Sequence, residues 1–207
     1  MAYSVIAIAR TLSAGGEAIG RIIAGDFGMR YVDNEIIDQA AKLAGVTDKD
    51  IAQAEVETRK SLIERIFESF APAGVAADIP ATAAVSTSPG YEQIIKDVIH
   101  RTANEGNVVI VAHGAAIALA GMKGLLRVLV TASPETRMER LMALGRGKTT
   151  AQRLIEESDA SRAEFLQRFY QLEEEVPTNY DLVVNTDHLS PDEAAALIRG
   201  LVERARK

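Results

Sequence analysis

Residues 4–28, SVIAIARTLSAGGEAIGRIIAGDFG, carry the reading that decides the fold. Ser4 to Ala9 is an apolar, β-branched run, which predicts a buried strand. A turn carrying Gly15 and Gly16 follows, and beyond it Ile19, Ile22, Ile23 and Phe27 recur on one helical face. Gly28 stands where a helix closes in a left-handed conformation. A strand that feeds a glycine turn onto a helix start can cradle a phosphate. The turn's amides converge, and the first helical turn adds unpaired N–H groups and the positive end of its dipole. Ser13, Ala14, Gly15, Gly16 and Glu17 are therefore the candidate phosphate-binding residues. The pattern G-x-x-x-x-G-K-[ST] is not met, because Gly16 and Glu17 occupy the Lys and Ser/Thr positions.

Four further apolar runs continue the theme: Met29 to Val32, Asn107 to Ala112, Leu125 to Ala132 and Tyr180 to Asn185. Their near-continuous apolar character fits a parallel sheet covered on both faces. Helices between them have clear start signals. Ser133-Pro134-Glu135 opens one with proline at its first position, and Ser190-Pro191-Asp192-Glu193 opens the last with a capping box. Strand and helix alternating in this way predict an α/β fold, a five-stranded parallel sheet with right-handed crossovers. At 207 residues the chain reads as one domain, 1–207, with an insertion over 34–90. Within it, Asn34 to Leu43 and Asp48 to Phe70 read as helices, and 71–90 as an Ala/Pro/Ser/Thr/Gly-rich loop. A second departure is an arginine-rich helical run over 137–168.

Composition narrows the chemistry. A net charge of −6 disfavours a general nucleic-acid binder, though a local arginine cluster can still hold phosphate. With no cysteine there are no disulfides and no thiolate metal sites, and no two of the three histidines have ligand spacing. No metal-binding motif is therefore expected. The apolar run from Ser4 lacks a basic flank and is too short for a signal peptide or a membrane span, so a cytoplasmic protein is expected.

The glycine turn, Tyr31-Val32-Asp33, NVVIVAHGAA, SPETRMERL, ESDASR and YDLVVNT occur in that order, and with them the chain resembles the cytidylate kinase-like family. The resemblance runs from about residue 4 to 202. It implies the fold of the P-loop nucleoside monophosphate kinases, with an acceptor-binding insert (34–90) and an arginine-bearing lid (137–168). It implies transfer of the γ-phosphoryl group of ATP, with Mg²⁺, to a cytidine monophosphate-type acceptor. Phosphoryl transfer needs positioning and positive charge around the equatorial oxygens, and Arg10, Arg137 and Arg162 are the candidates for it. An Asp-x-x-Arg spacing joins Asp159 to Arg162, a pair suited to fixing a guanidinium for bidentate phosphate contact. Arg140, Arg153 and Arg168, interleaved with glutamates, read instead as a solvated helix face.

Departures from the family pattern sharpen the expectations. Arg10, at the strand end, is the natural substitute for the missing lysine. Glu17 either ligates Mg²⁺ or caps the helix, where the dipole favours an anion. Asp33 lies at the carboxyl edge of the sheet, as an acceptor-side group or a helix cap. His113 replaces the arginine of a Gly-Arg-Gly block, which leaves the acceptor's identity open. Two other readings compete with the kinase. One is a nucleotide-binding module that has lost turnover. The other is a scaffold that forms a homo-oligomer through 34–90, where Ile51, Ala54, Leu62, Ile66 and Phe70 would make a partner-facing stripe.

Overall fold

In the computed structural model the described residues are 2–33, 35, 36, 39, 91–111 and 114–206. The chain divides into two units, one of Met1–Asp33 with Ile99–Lys207 and one of Asn34–Val98. The helices and loop expected over 34–90 lie almost wholly outside the described residues, as does His113.

The first unit is built on five parallel strands: β1 (Val5–Arg10), β2 (Arg30–Val32), β3 (Val108–Val111), β4 (Leu125–Thr131) and β5 (Leu182–Asn185). They lie in the order β2-β3-β1-β4-β5, which puts β1 at the centre. β1 pairs with β3 (Val5↔Val108 to Ile8↔Val111) and with β4 (Val5↔Leu125 to Arg10↔Val130). The predicted strands are all found, within two residues of their expected ends. The last begins at Leu182 rather than Tyr180, because the Asp181 carboxylate takes the Arg127 N–H (2.9 Å) and guanidinium (2.7 Å).

Among the described residues the α-helices are α1 (Gly16–Phe27), α2 (Tyr91–Asn104), α3 (Ala115–Ala118), α4 (Pro134–Ala143), α5 (Lys148–Tyr170) and α6 (Pro191–Arg206). Gly28 closes α1 with φ 61°, as its sequence position predicts. Ser133 caps α4 by accepting the Thr136 N–H at 3.2 Å. The Ser190–Glu193 box caps α6, with Ser190 N–H donating to Glu193 (2.8 Å) and Glu193 N–H to Ser190 (3.3 Å).

Alternation along the strands sends one set of side chains to each face. Ile6, Ile8, Val109, Val111, Leu126, Val128, Val130 and Val184 pack with Ile19 and Ile23 of α1 and Ile198 and Val202 of α6. Val5, Ala7, Val108 and Ile110 form the alternate set and are equally inaccessible, so both faces are covered. Each such isoleucine or valine contributes about 1.5–3 kcal/mol through burial. A separate small cluster, Leu141, Ala151 and Ile155, holds α4 against α5, and Leu12 from the turn after β1 packs onto it. Among the described residues no helix is long and apolar enough to cross a membrane.

Candidate functional site

The site begins where the central strand stops. β1 ends at Arg10, and Ser13 (φ 60°) and Gly15 (φ 90°) both take left-handed conformations that bend the chain into α1. Ala14 N–H donates back to Thr11 O at 3.2 Å, and Ile19 N–H donates to Gly15 O at 3.1 Å. Among the described residues no backbone acceptor takes the N–H groups of Gly15, Gly16, Glu17 and Ala18. Open amides on a left-handed turn at a helix start form an anion cradle. All five predicted turn residues, Ser13 to Glu17, are in this bend.

Arg10 and Gly16 are linked by sterics. A Cβ built on Gly16 would lie 2.7 Å from Arg10 Cβ and 3.1 Å from Arg10 Cδ. Contact at 2.7 Å is closer than carbon atoms tolerate, so a lysine at 16 and an arginine at 10 exclude one another in this backbone. In the G-x-x-x-x-G-K-[ST] pattern position 10 holds the first glycine and position 16 the lysine. Here the glycine and the cation have exchanged places. The cationic group still reaches the turn, but from the strand end.

That cation has a partner. The Arg10 Nε donates to the Glu17 carboxylate, with side-chain exposures of 27% and 44%. Glu17 is in the first turn of α1, yet no side chain makes a capping hydrogen bond to that helix start. Its carboxylate meets Arg10 and makes no capping hydrogen bond, so of the two expected roles, Mg²⁺ ligand or helix cap, the hydrogen-bonded cap is not formed.

Asp33 follows β2 and is half-buried beside the same charges. Burial pushes its carboxyl pKa upward; Arg10 pulls it down and Glu17 pushes it up again. Tyr31 donates to Asp33 Oδ2 at 3.3 Å, while Asp33 Oδ1 is buried with no partner among the described residues. The Tyr31 phenol is pushed up to about 12, by burial first and then by Asp33. These oxygens are hard donors that suit Mg²⁺ better than a soft metal. Among the described residues no three His, Cys, Asp or Glu side chains group to hold a metal, so nucleotide phosphates would have to supply most of its ligands.

The arginine-rich hairpin departs from expectation in its pairing. Asp159 does not hold Arg162. It takes a two-pronged contact from Arg137 of α4, Nη1 at 2.8 Å and Nη2 at 2.6 Å. Arg137 is 3% exposed, and its Nε is buried without a partner among the described residues. Arg162 is held instead by Glu175, with Nε at 2.7 Å and Nη2 at 2.6 Å, and Glu175 also accepts the Tyr180 hydroxyl. Side chains on facing segments can present both oxygens to the planar guanidinium fork, and that bidentate geometry wins over the (i, i+3) neighbour. Burial works against the charges of this second pair. Even so, the hydrogen bonds from Arg162 hold the Glu175 carboxyl below its ordinary value, and Glu175 holds Arg162 above its own. Burial and Glu175 together push the Tyr180 phenol up.

Arg153 behaves as a solvated helix residue, paired with Glu157 four positions on at 2.7 Å. Arg140 does not. Its Nη1 donates to Ser13 O (3.1 Å) and to Thr186 Oγ1 (3.0 Å), and its Nη2 to Thr186 O (2.5 Å). The expected solvated face is thus corrected at this position. Glu175, Tyr180 and Thr186 were not foreseen. The run Glu173-Glu174-Glu175 after an arginine-rich helix was the available signal for the first.

Comparison with known proteins agrees with this geometry. No curated protein sequence matches the chain. Among solved structures, an uncharacterized protein from Eubacterium ventriosum superposes with a TM-score of 0.67 at 17% identity, covering 96% of this chain and 98% of that one. The shikimate kinase of Acinetobacter baumannii in complex with shikimate gives 0.54 at 12% identity, covering 98% and 94%. The YorR protein of Bacillus subtilis in complex with phosphorylated GDP gives 0.52 at 12%, covering 98% and 97%. At these identities the likeness is one of fold, that of the P-loop kinases. The model of the cytidylate kinase-like family matches residues 5–188, from the central strand through the turn, the arginine-rich hairpin and the last strand. With this match over most of its length, and with a five-stranded parallel sheet that carries a turn of open amides at its carboxyl edge, the chain belongs to the cytidylate kinase-like family.

Proposed function

We propose that the protein transfers the γ-phosphoryl group of ATP to a nucleoside monophosphate of the cytidylate type, CMP or dCMP. The observation that carries this reading is the row of open amides from Gly15 to Ala18 with Arg10 beside it. In the transfer the bond between γ-phosphorus and the bridging β-oxygen breaks. A phosphate oxygen of the acceptor forms the new bond, and ADP leaves with the electron pair. Amides of the turn would take the donor's β-phosphate oxygens. Arg10 would supply the charge that the lysine supplies elsewhere. Mg²⁺, held by phosphate oxygens with Glu17 or Asp33, would neutralise charge on the polyphosphate when bound. Asp33 and His113 would face the acceptor, which the 34–90 insert would bind. Arg137, Arg162 and Asp159, in the lid-like 137–168 region, would close over the transferring group.

The test is ADP release with CMP, dCMP, UMP, AMP and shikimate as acceptors, at micromolar enzyme with Mg-ATP. Shikimate belongs in the panel because a protein of like fold binds it. Turnover with CMP or dCMP above the others is the expected result. No turnover with any monophosphate would overturn the proposal. A second reading, a module that binds nucleotide without turnover, is favoured by one observation: Arg10, Arg137 and Arg162 are each paired with a carboxylate of the chain itself. Calorimetric binding of ATP in the absence of ADP formation would support that reading instead.

A further inference from the structure

We propose that Arg140 and Thr186 are positioning residues for the phosphate-binding turn, fixing the direction in which the Gly15 amide points. The inference rests on the kinase reading and deepens it. It starts from a part-buried knot of hydrogen bonds behind the turn. Thr186 directly follows β5 and is 2% exposed. Its N–H donates to Thr131 O at the end of β4 (2.8 Å), and its Oγ1 donates to Ala14 O (2.8 Å), with Thr131 O the longer second acceptor in reach (3.2 Å). Arg140 supplies the rest, binding Thr186 through both its hydroxyl and its carbonyl and taking Ser13 O as well.

Peptide geometry turns this knot into a functional statement. The C=O and N–H of one trans peptide point in opposite directions. Pinning Ala14 C=O inward therefore aims the N–H of the same peptide, which belongs to Gly15, outward into the cradle. The neighbouring peptide is held as well, with Ser13 C=O on Arg140 and Ala14 N–H on Thr11 O (3.2 Å). Two successive peptide planes are thereby set by side chains that lie behind the turn. Ser13 (φ 60°) and Gly15 (φ 90°) flank these two planes in left-handed conformations. Electrostatic stabilisation of a phosphate depends on donors already aimed before the ligand arrives. Leu12 adds an apolar anchor to the same α4–α5 hairpin that supplies Arg140, so the turn is fixed to that hairpin by both kinds of contact.

The test compares wild type with Thr186→Val, which keeps the shape and loses the hydroxyl, with Thr186→Ser, which restores it, and with Arg140→Lys. ATP, ADP and CMP dissociation constants are measured by calorimetry, and KM for ATP and kcat by ADP release. Thr186→Val and Arg140→Lys should weaken ATP and ADP by about ten- to a hundredfold, the loss expected for one charge-assisted hydrogen bond. CMP affinity should stay within about twofold of wild type, and Thr186→Ser should recover ATP binding. A folded Thr186→Val or Arg140→Lys protein with wild-type ATP affinity would overturn the positioning role. So would loss of ATP and CMP affinity in parallel, which would mark a purely structural knot. If Thr186→Val does not fold, Arg140→Lys carries the same comparison. Failure of the wild-type protein itself to bind ATP or ADP would instead sink the kinase reading on which the inference stands.

Discussion

Arg10 and Arg162 each meet a glutamate, but the turn after β1 and the segment between α5 and β5 hold those pairs in different surroundings. At the turn the pair is the more exposed of the two, 27% for Arg10 and 44% for Glu17, and Arg10 makes its contact through Nε alone. Between α5 and β5 both partners are 18% exposed, the contact is two-pronged, and Tyr180 adds a third group. An exposed single-pronged pair is worth about 0.2–1 kcal/mol and can be exchanged for another anion at little cost. A buried bidentate pair is costly to open, because each charge left behind would be desolvated. The comparison separates two roles for arginine in one fold. Arg10 sits in the readily exchanged pair and Arg162 in the committed one, which must open before Arg162 can close over a transferring group.

The largest expected effect tests the committed side. Glu175→Gln keeps the shape and removes the charge, leaving Arg162 buried and uncompensated. The loss should be about 3 kcal/mol, near the lower end of the range for breaking a buried pair. At about 2–4 °C per kcal/mol for a chain of this size, the midpoint of thermal unfolding should fall by roughly 6–12 °C. Glu175 has a lowered pKa in the folded chain, so its contribution is present above the ordinary carboxylate value. It is lost as pH falls through the folded value, so the gap between wild type and Glu175→Gln should narrow in acid. Calorimetric scans at neutral and acid pH decide this. A gap that is small at neutral pH would place Arg162 with Arg10, as a group free to move onto a ligand.

A middle-sized effect tests the exposed side. Gly16→Lys restores the lysine of the common phosphate loop, but its Cβ would crowd Arg10 Cβ at 2.7 Å. Crowding of this kind costs about 1–3 kcal/mol. Adding Arg10→Gly should relieve it, because the double change puts glycine and cation back in their usual places. Chemical denaturation of the two single variants and the double variant gives the coupling directly. Additive losses in the double variant would show that the two positions do not exchange with one another.

How much of this was legible depended on the range of the interaction. The strands and caps were readable because their signals are local: a β-branched run such as Asn107 to Ala112, or a Ser190–Glu193 box spanning four residues. The turn was readable for the same reason, since glycine at 15 and 16 announces itself. The pairing of the arginines was not. Asp159 has an arginine three residues away in sequence and another twenty-two away, and only the packing of α4 on α5 selects the distant one. Arg140 looked like a surface residue because its neighbours Glu139 and Leu141 say nothing of Ser13, 127 positions earlier. Thr186 carried no signal, since a single threonine after a strand is common.

The smallest effect probes the turn most directly. Glu17 neutralises Arg10 and places a carboxylate beside the open amides of the turn, so under the proposed function it opposes a metal-free polyphosphate twice. Glu17→Ala frees Arg10 and removes the repulsion. The gain is bounded by the worth of an exposed pair, about 0.2–1 kcal/mol, so ATP should bind at most about fivefold more tightly without Mg²⁺. Added Mg²⁺ should shrink that gain, because a metal between carboxylate and phosphate screens one from the other. Calorimetric titration of ATP with and without Mg²⁺ reads both signs. Weaker binding of metal-free ATP by Glu17→Ala would mean that the Arg10–Glu17 pair builds the cradle rather than blocking it. The turn would then resemble the committed side of the molecule, with its arginine fixed by its glutamate as Arg162 is by Glu175.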